Sequence, residues 1–422
     1  MRRFRIESPG GIIALLTVLN LLNYLDRYIV AAVVPRIEAA FHLSKAQAGW
    51  VMSAFMVGYF LTSPLFGALG DRWRRRELIA AGVAAWSVAT FCSGLAPTFL
   101  VLLLCRVGVG VGEASYATLS PTIIDDLSAA HAKNRLLAVF YVAIPVGSAL
   151  GYVVGGALEP RLGWAGALMV AGGPGLAAAA VTLLIVEPAR APRRRLPTLR
   201  DAAAPLWASR RYVGTVAGYV AYTFGLGGFA AWAPSYVHGV LGVPLDRADQ
   251  VFGLITVGTG LAGTAVGGAF GHVFARQRPP AVAVAVGGAG GSADVLGGWL
   301  KFSALSSLAG FPLAWACLVQ RSPTGFFVLL GAAELCLFAS TAPVNAAILG
   351  SVPESLRATA MAVSIFAIHA FGDLVSPPLV GFVADRSRLG WGMMLLPGAV
   401  LASAILWWRA SRPTPDSVDA RA

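Results

Sequence analysis

Between two long apolar runs, 47–69 and 77–95, the chain reads Phe66-Gly67-Ala68-Leu69-Gly70-Asp71-Arg72-Trp73-Arg74-Arg75-Arg76-Glu77-Leu78-Ile79. Each flanking run has about the 20 mainly apolar residues that a helix needs to cross ~30 Å of hydrocarbon. The link is short and carries four arginines, which suits a turn held on the cytoplasmic face of a membrane. Barrel strands would alternate polar and apolar residues over about ten positions, and these runs do not alternate. The stretch therefore predicts a helical hairpin in lipid.

The rest of the chain repeats that unit. Of 422 residues, 57% are hydrophobic and only 12% charged, about half the charge of a soluble domain, so the chain cannot cover itself with polar groups in water. Twelve crossing segments are expected: 11–34, 47–69, 77–95, 98–124, 136–158, 163–186, 212–237, 250–273, 300–320, 324–349, 357–384 and 390–409. With the N-terminus inside, the inner segments hold 23 Lys and Arg and the outer loops 7, which places both termini in the cytoplasm. The remaining two, Arg27 and Arg106, lie within crossing segments. The net charge of +12 is thus mostly a topology signal, and no nucleic-acid partner is expected. The basic, apolar N-terminus imitates a signal peptide, but apolar character resumes past Tyr28 and an uncleaved first helix is expected. Cys92, Cys105, Cys317 and Cys336 lie in apolar runs without ligand spacing, so no metal site, disulfide framework or cofactor is expected.

The expected fold is an all-α polytopic membrane protein of two six-helix halves, 1–186 and 212–410. A basic, proline-rich cytoplasmic linker, 187–211, joins them, and 411–422 is a cytoplasmic tail. The glycine-broken run 274–299 is expected to be a loop. A shift of 201 residues lays Gly67-Ala68-Leu69-Gly70 on Gly268-Ala269-Phe270-Gly271 and the start of helix 1 on the start of helix 7, a faint parallel repeat of transporter type.

Ionisable groups in mid-bilayer cost at least ~2.5–3.5 kcal/mol each on insertion scales and invite a functional reading. Asp26 and Arg27 fall in the first crossing segment, Arg106 and Glu113 in the fourth, Glu334 in the tenth, His369 and Asp373 in the eleventh. At 100° per residue, Asn20, Asn23, Tyr24 and Arg27 share one face of helix 1, with Asp26 beside it. Arg106 and Glu113 lie two turns apart, too far for a direct pair unless both side chains reach. The rise per residue puts Asp26 and Arg106 at similar depth and allows them to meet. Burial favours the neutral acid and a neighbouring guanidinium the carboxylate, a competition suited to a proton switch. The alternative, ions that only glue helices together, stands beside this for each residue and weighs equally for Glu334, His369 and Asp373. Glycines at 147, 151 and 155, and at 108 and 112, recur every four residues and favour close helix contact. Pro145 and Pro377-Pro378 should kink or break their helices.

Gly67-x-x-x-Asp71-Arg72-x-x-Arg75-Arg76 resembles the signature loop of the major facilitator superfamily, with Arg74 where glycine is common, and Arg106-x-x-x-Gly110 resembles its second motif. Asn23-Tyr24-Leu25-Asp26-Arg27, Gly112-Glu113-Ala114-Ser115-Tyr116, Phe140-Tyr141-Val142-Ala143-Ile144-Pro145, Trp232-Ala233-Pro234 and His369-x-x-x-Asp373-x-x-Ser376-Pro377 are similar to the Spinster family of lysolipid and sphingosine-phosphate transporters. That resemblance implies alternating access of two six-helix halves. It implies proton coupling by Asp26, Glu113 and Arg106, and a substrate cavity or gate drawing on Arg27, Asn23, Tyr24, Tyr116, Glu334, His369 and Asp373. It also implies a cytoplasmic latch of Gly67, Asp71, Arg72, Arg75 and Arg76.

A lysolipid has a charged headgroup and one acyl chain, which suits a cavity with one or two arginines in apolar walls. The function expected is proton-coupled transport of lysophospholipids or sphingoid amphiphiles. The alternatives are a proton symporter of small organic anions, an efflux pump for amphipathic drugs and, outside transport, a transport-dead membrane sensor. An enzyme is not expected, since Ser115 has no base near it in sequence. Protons and membrane lipids are the other partners, and a monomer in a bacterial inner membrane is expected from composition, with Arg far exceeding Lys.

Overall fold

The computed structural model describes residues 5–127, 133–188, 199–275 and 290–412. These residues are helical almost throughout, as lipid demands of backbone that has no water to bond with. In chain order the helices are α1 Pro9–Phe41, α2 Lys45–Ser53, α3 Phe55–Arg72, α4 Arg75–Gly94, α5 Phe99–Leu127, α6 Lys133–Thr182, α7 Leu199–Ala208 and α8 Arg210–Leu241. There follow α9 Leu245–Ala275, α10 Gly290–Val319, α11 Pro323–Ala339, α12 Thr341–Gly350, α13 Arg357–Ile368, α14 Ser376–Arg386, α15 Leu389–Met393 and α16 Leu395–Ala410. Among the described residues, ten helical segments are long and apolar enough to cross a membrane.

Local chemistry sets the boundaries. Ser8 caps α1 through the amide of Gly11 at 3.2 Å, with Pro9 behind it, and His42 ends the helix in the left-handed region. Ser44 and Gln47 form a reciprocal capping box on α2. The segments expected at 136–158 and 163–186 follow one another within α6, where two helices meet at Gly163; its φ of 68° and ψ of 174° are non-helical and suit a residue without Cβ. The eleventh segment is interrupted, as its prolines suggest: a π turn occupies His369–Asp373 and Pro377 and Pro378 open the first turn of α14.

One expectation needs correction. The loop expected over 274–299 is shorter, because α9 runs to Ala275 and α10 is helical from Gly290; residues 276–289 lie outside the described residues. The glycines suggested a loop, but Leu296 is buried against Gly350, and Gly297 lets α10 approach the Ser411 carbonyl. Packing there outweighs the roughly 1 kcal/mol that a glycine costs a helix.

The chain divides into two compact units. The first takes in Met1–Pro192, Ala230–Val257 and Pro377–Leu389. In it α1 lies along α6, α3 against α5, and α4 against both α5 and α6. The α6 glycine stripe carries the first of these contacts: a Cβ at Gly151 would sit 2.8 Å from the Leu25 carbonyl oxygen. The second unit takes in Arg193–Phe229, Gly258–Ser376 and Gly390–Ala422. Its α10 packs on α11, α12 and α16 around Leu300, Leu337, Ile348, Val400 and Trp407. Trp407 donates its indole N–H to the Thr215 carbonyl at 3.0 Å.

Candidate functional site

In the first unit, α1 and α5 bring the four buried ionisable residues together. Arg27 pairs with Glu113, its Nη2 at 2.6 Å and its Nε at 2.9 Å from the same carboxylate oxygen. Three rings close around the guanidinium, with Phe55, Tyr24 and Tyr59 centroids at 4.7, 4.9 and 5.9 Å from Arg27 Cζ. The other Glu113 oxygen makes no hydrogen bond within the protein. Arg106 stacks over the other side of the site, 5.6 Å from the Phe55 centroid, and gives its Nε to the Val51 carbonyl at 3.3 Å. Both its Nη atoms have no partner.

Asp26 is buried near Arg106 and Glu113, close enough for each to act on its charge, yet one of its oxygens makes no hydrogen bond. Asp26 and Arg106 thus lie near each other, as depth allowed, but the close ion pair is Arg27 with Glu113. Helical rotation explains the pairing, since the residues one step apart on α1 look toward different neighbours. Trp86 Nε1 and Thr90 Oγ1, one turn apart on α4, face the Asp26 carboxyl without reaching hydrogen-bond geometry. Neither these two nor Phe55 and Tyr59 stood out in the sequence, where aromatic and hydroxyl residues in apolar runs read as packing. The i, i+4 spacing of Trp86 and Thr90 was the one available signal.

Asn20 of α1 and Tyr116 of α5 are tied to the scaffold. Asn20 donates to the Phe140 carbonyl at 3.0 Å, and the Tyr116 hydroxyl donates to the Leu16 carbonyl at 2.6 Å, so each joins α1 to a neighbour. Asn23 is buried with its amide nitrogen unpartnered, and Tyr24 contributes its ring to Arg27. Ser115 donates to the Leu78 carbonyl at 2.7 Å and so serves helix contact.

The latch residues separate. Arg75, buried, donates to Asp126 at 2.6 Å and Thr122 at 3.1 Å, with Glu187 3.7 Å from its Nε. Arg76 gives its amide to Glu187 at 3.0 Å and its guanidinium to the Ile185 carbonyl at 2.8 Å. Asp71 and Arg72 lie on the exposed end of α3, and Gly67 faces Thr118 of α5. The acidic partners Asp126 and Glu187 are residues that the sequence did not single out, because helix-end carboxylates look like ordinary surface.

In the second unit, Glu334 is buried and accepts from Thr259 at 2.8 Å. Thr341 and Asn345 of α12 turn to two tyrosines of α8: Asn345 Nδ2 contacts the Tyr219 hydroxyl at 3.5 Å, while Thr341 is 3.4 Å from the Tyr222 hydroxyl. His369 and Asp373 bond at 2.8 Å across the π turn, both partly exposed, with Gly227 of α8 against Asp373.

The arrangement offers two guanidinium groups with unused or exchangeable valence and two carboxyl groups with unsatisfied oxygens, in a water-poor setting. Such groups can bind an anion and trade protons; they include no nucleophile with its base. Among the described residues, no cluster of His, Cys, Asp and Glu could hold a metal ion.

The family model of the Major Facilitator Superfamily matches residues 16–301. Protein spinster homolog 1 of Homo sapiens is 37% identical over 93% of this chain and 76% of its own length. The sphingosine-1-phosphate transporter SPNS2 of Mus musculus is 33% identical over 93% of the chain and 75% of its own. The probable sphingolipid transporter spinster homolog 1 of Arabidopsis thaliana is 28% identical over 96% of the chain and 88% of its own. The crystal structure of a bacterial homolog to the human lysosomal transporter Spinster, inward-facing and unoccupied, superposes with a TM-score of 0.83 at 20% identity, over 98% of this chain and all of that one. With a buried, aromatic-lined ion cluster in a helical membrane bundle and relatives of this kind along nearly its whole length, the chain belongs to the Spinster family of the major facilitator superfamily and is a multi-pass membrane transporter, not an enzyme.

Proposed function

We propose that this transporter moves lysophospholipids or sphingoid amphiphiles by alternating access, coupled to protons. Twelve crossings, two halves at 1–186 and 212–410, cytoplasmic termini and a bacterial inner membrane complete the reading. The observation that carries it is the Arg27–Glu113 pair ringed by Tyr24, Phe55 and Tyr59, with Asp26 and Arg106 alongside and incompletely bonded.

A buried ion pair is nearly neutral as a unit, but removing one partner costs roughly 3–5 kcal/mol. Protonation of Glu113 would cancel its charge and leave the Arg27 guanidinium needing an anion, which a phosphate headgroup supplies bidentately. Release of the headgroup and of the proton would then restore the pair. Arg106, with both Nη atoms unused, is a second donor for the same headgroup. Asp26, facing Trp86 and Thr90, would exchange a second proton. Arg75 and Arg76, with Asp126 and Glu187, would latch the cytoplasmic end. The names of the mouse and Arabidopsis relatives, a sphingosine-1-phosphate and a probable sphingolipid transporter, support a phosphorylated or polar single-chain lipid.

The test is uptake of labelled lysophospholipid or sphingosine 1-phosphate into proteoliposomes, with and without an inward proton gradient. Gradient-driven uptake that Glu113→Gln and Asp26→Asn abolish is expected. Proton-linked uptake of a small organic anion, with none of either lipid, would replace the substrate class.

A further inference from the structure

Two carboxylates from the later sequence lie in the first unit, at the end that the charge pattern places outside, and are treated in opposite ways. Asp385, at the end of α14, accepts the amides of Lys45 at 2.6 Å and Ala46 at 3.0 Å and so closes the N-terminus of α2. It is exposed at the surface of the first unit. Asp249, in the second turn of α9, is fully buried, and neither of its oxygens has a hydrogen-bond partner.

The contacts around Asp249 belong to the same seal. A Cβ at Gly156 of α6 would lie 3.0 Å from both Asp249 Cβ and the Asp246 carbonyl, so glycine is what lets α9 come this close. One turn to either side, Phe252 stacks edge-on to Tyr152, whose hydroxyl bonds the Ala230 carbonyl of α8. Trp232 of α8 donates to the Pro377 carbonyl at 3.0 Å, and the Pro377-Pro378 backbone covers Gly49 of α2.

The charged groups acting on Asp249 are acidic: Asp246 from its own helix and Glu159 from α6. Arg36 of α1 is spent on Glu159 at 2.9 Å, Arg247 is exposed, and the His238 ring of α8 is bonded to the Val243 carbonyl at 2.8 Å. A carboxylate buried without partner or counter-charge is very costly, whereas a neutral carboxyl in the same place costs little more than any unbonded hydroxyl.

We propose that Asp249 is a proton-binding site of the transport cycle, closing the outer seal when protonated and parting it when ionised. This rests on the alternating-access reading, but on neither the lipid substrate nor proton exchange at Asp26 and Glu113. A proton arriving from outside would lock the outer end behind a loaded carrier. Asp385, bonded to two amides, would hold α14 on the N-terminus of α2 as a further part of the seal.

The experiment places spin labels at Leu162 and Val240, both exposed near the seal, in a protein whose Cys92, Cys105, Cys317 and Cys336 are replaced, and measures their separation in lipid nanodiscs from pH 5 to 9. A single short distance at low pH, with a longer one growing as pH rises, is expected. Asp249→Asn, nearly isosteric, should keep the short distance at every pH. Asp249→Leu should do the same, and either variant suffices if the other does not fold. Glu159→Gln removes a repelling charge and releases Arg36, so the midpoint should fall by about 0.5–1 pH unit. A pH-independent distance in the otherwise unaltered labelled protein, or an undiminished pH response in the Asp249 variants, overturns the proposal. Lipid uptake, measured separately, decides the substrate reading whatever the labels show.

Discussion

The buried polar groups of the first unit and those of the second answer to different physics. Arg27, Asp26, Arg106 and Glu113 are buried ionisable groups, the two arginines set over aromatic rings, and their hydrogen-bond capacity is only partly used. Glu334, by contrast, is met by the Thr259 hydroxyl, and His369 and Asp373 satisfy each other on a partly exposed π turn. The first arrangement depends on charge and, under the proposed function, would be switched by a proton or an anion. The second is held by short neutral or local bonds and changes little when a charge is removed. Under the proposed function, energy coupling would fall to α1 and α5, and recognition of the rest of the substrate to α9, α11 and the π turn.

Substitutions can break that contrast. Glu113→Gln leaves Arg27 buried without an anion, and a loss of about 3–5 kcal/mol of stability together with near-complete loss of transport is expected, read by thermal unfolding and by uptake. The double variant Arg27→Met with Glu113→Leu should regain most of the stability and none of the transport, because removing both charges removes the unpaired one. If the double variant is as unstable as Glu113→Gln, the cage serves folding and not switching.

Asp26→Asn tests coupling without a pair to break. The protein should unfold within a few degrees of wild type, while the stimulation of uptake by a proton gradient drops at least about tenfold, ~1.4 kcal/mol of lost coupling. On the other side of the comparison, Glu334→Gln keeps an acceptor for Thr259, so a KM higher by about three- to tenfold with the gradient response intact is expected. His369→Gln should have the smallest effect, less than about threefold on uptake, since the pair it breaks is partly exposed. A loss of gradient response in either of these last two would erase the division of labour.

Much of the membrane frame was legible along the chain. The apolar runs coincide with α1, α4, α5, α8 and α16 to within a few residues where a helix stands alone, and the glycine stripe of α6 does meet α1. The ends were less legible: α1 extends to Phe41 beyond the apolar run, since a helix continues into the polar surface until a residue such as His42 turns it. The start of α10 at Gly290 was hidden because glycine content argues for a loop and only the packing of Leu296 argues against it.

For the site, sequence identified which residues were out of place in lipid, since that question concerns one residue and its local hydropathy. It could not say which charge meets which. Arg27 rather than Arg106 holds Glu113, Asp126 and Glu187 rather than Asp71 engage Arg75, and Asp385 caps α2 from 340 residues away. These choices depend on the rotation, depth and crossing of helices far apart in the chain, and periodicity within one segment carries none of that information. Asp249 shows the limit most clearly: one residue before an apolar run it reads as an ordinary loop acid, and only Gly156 and the closure of the seal bury it. Composition and spacing determined that the chain spans the membrane and keeps ionisable groups inside it; the three-dimensional packing decided which of those groups are paired and which are left incompletely bonded, because pairing depends on how distant helices meet.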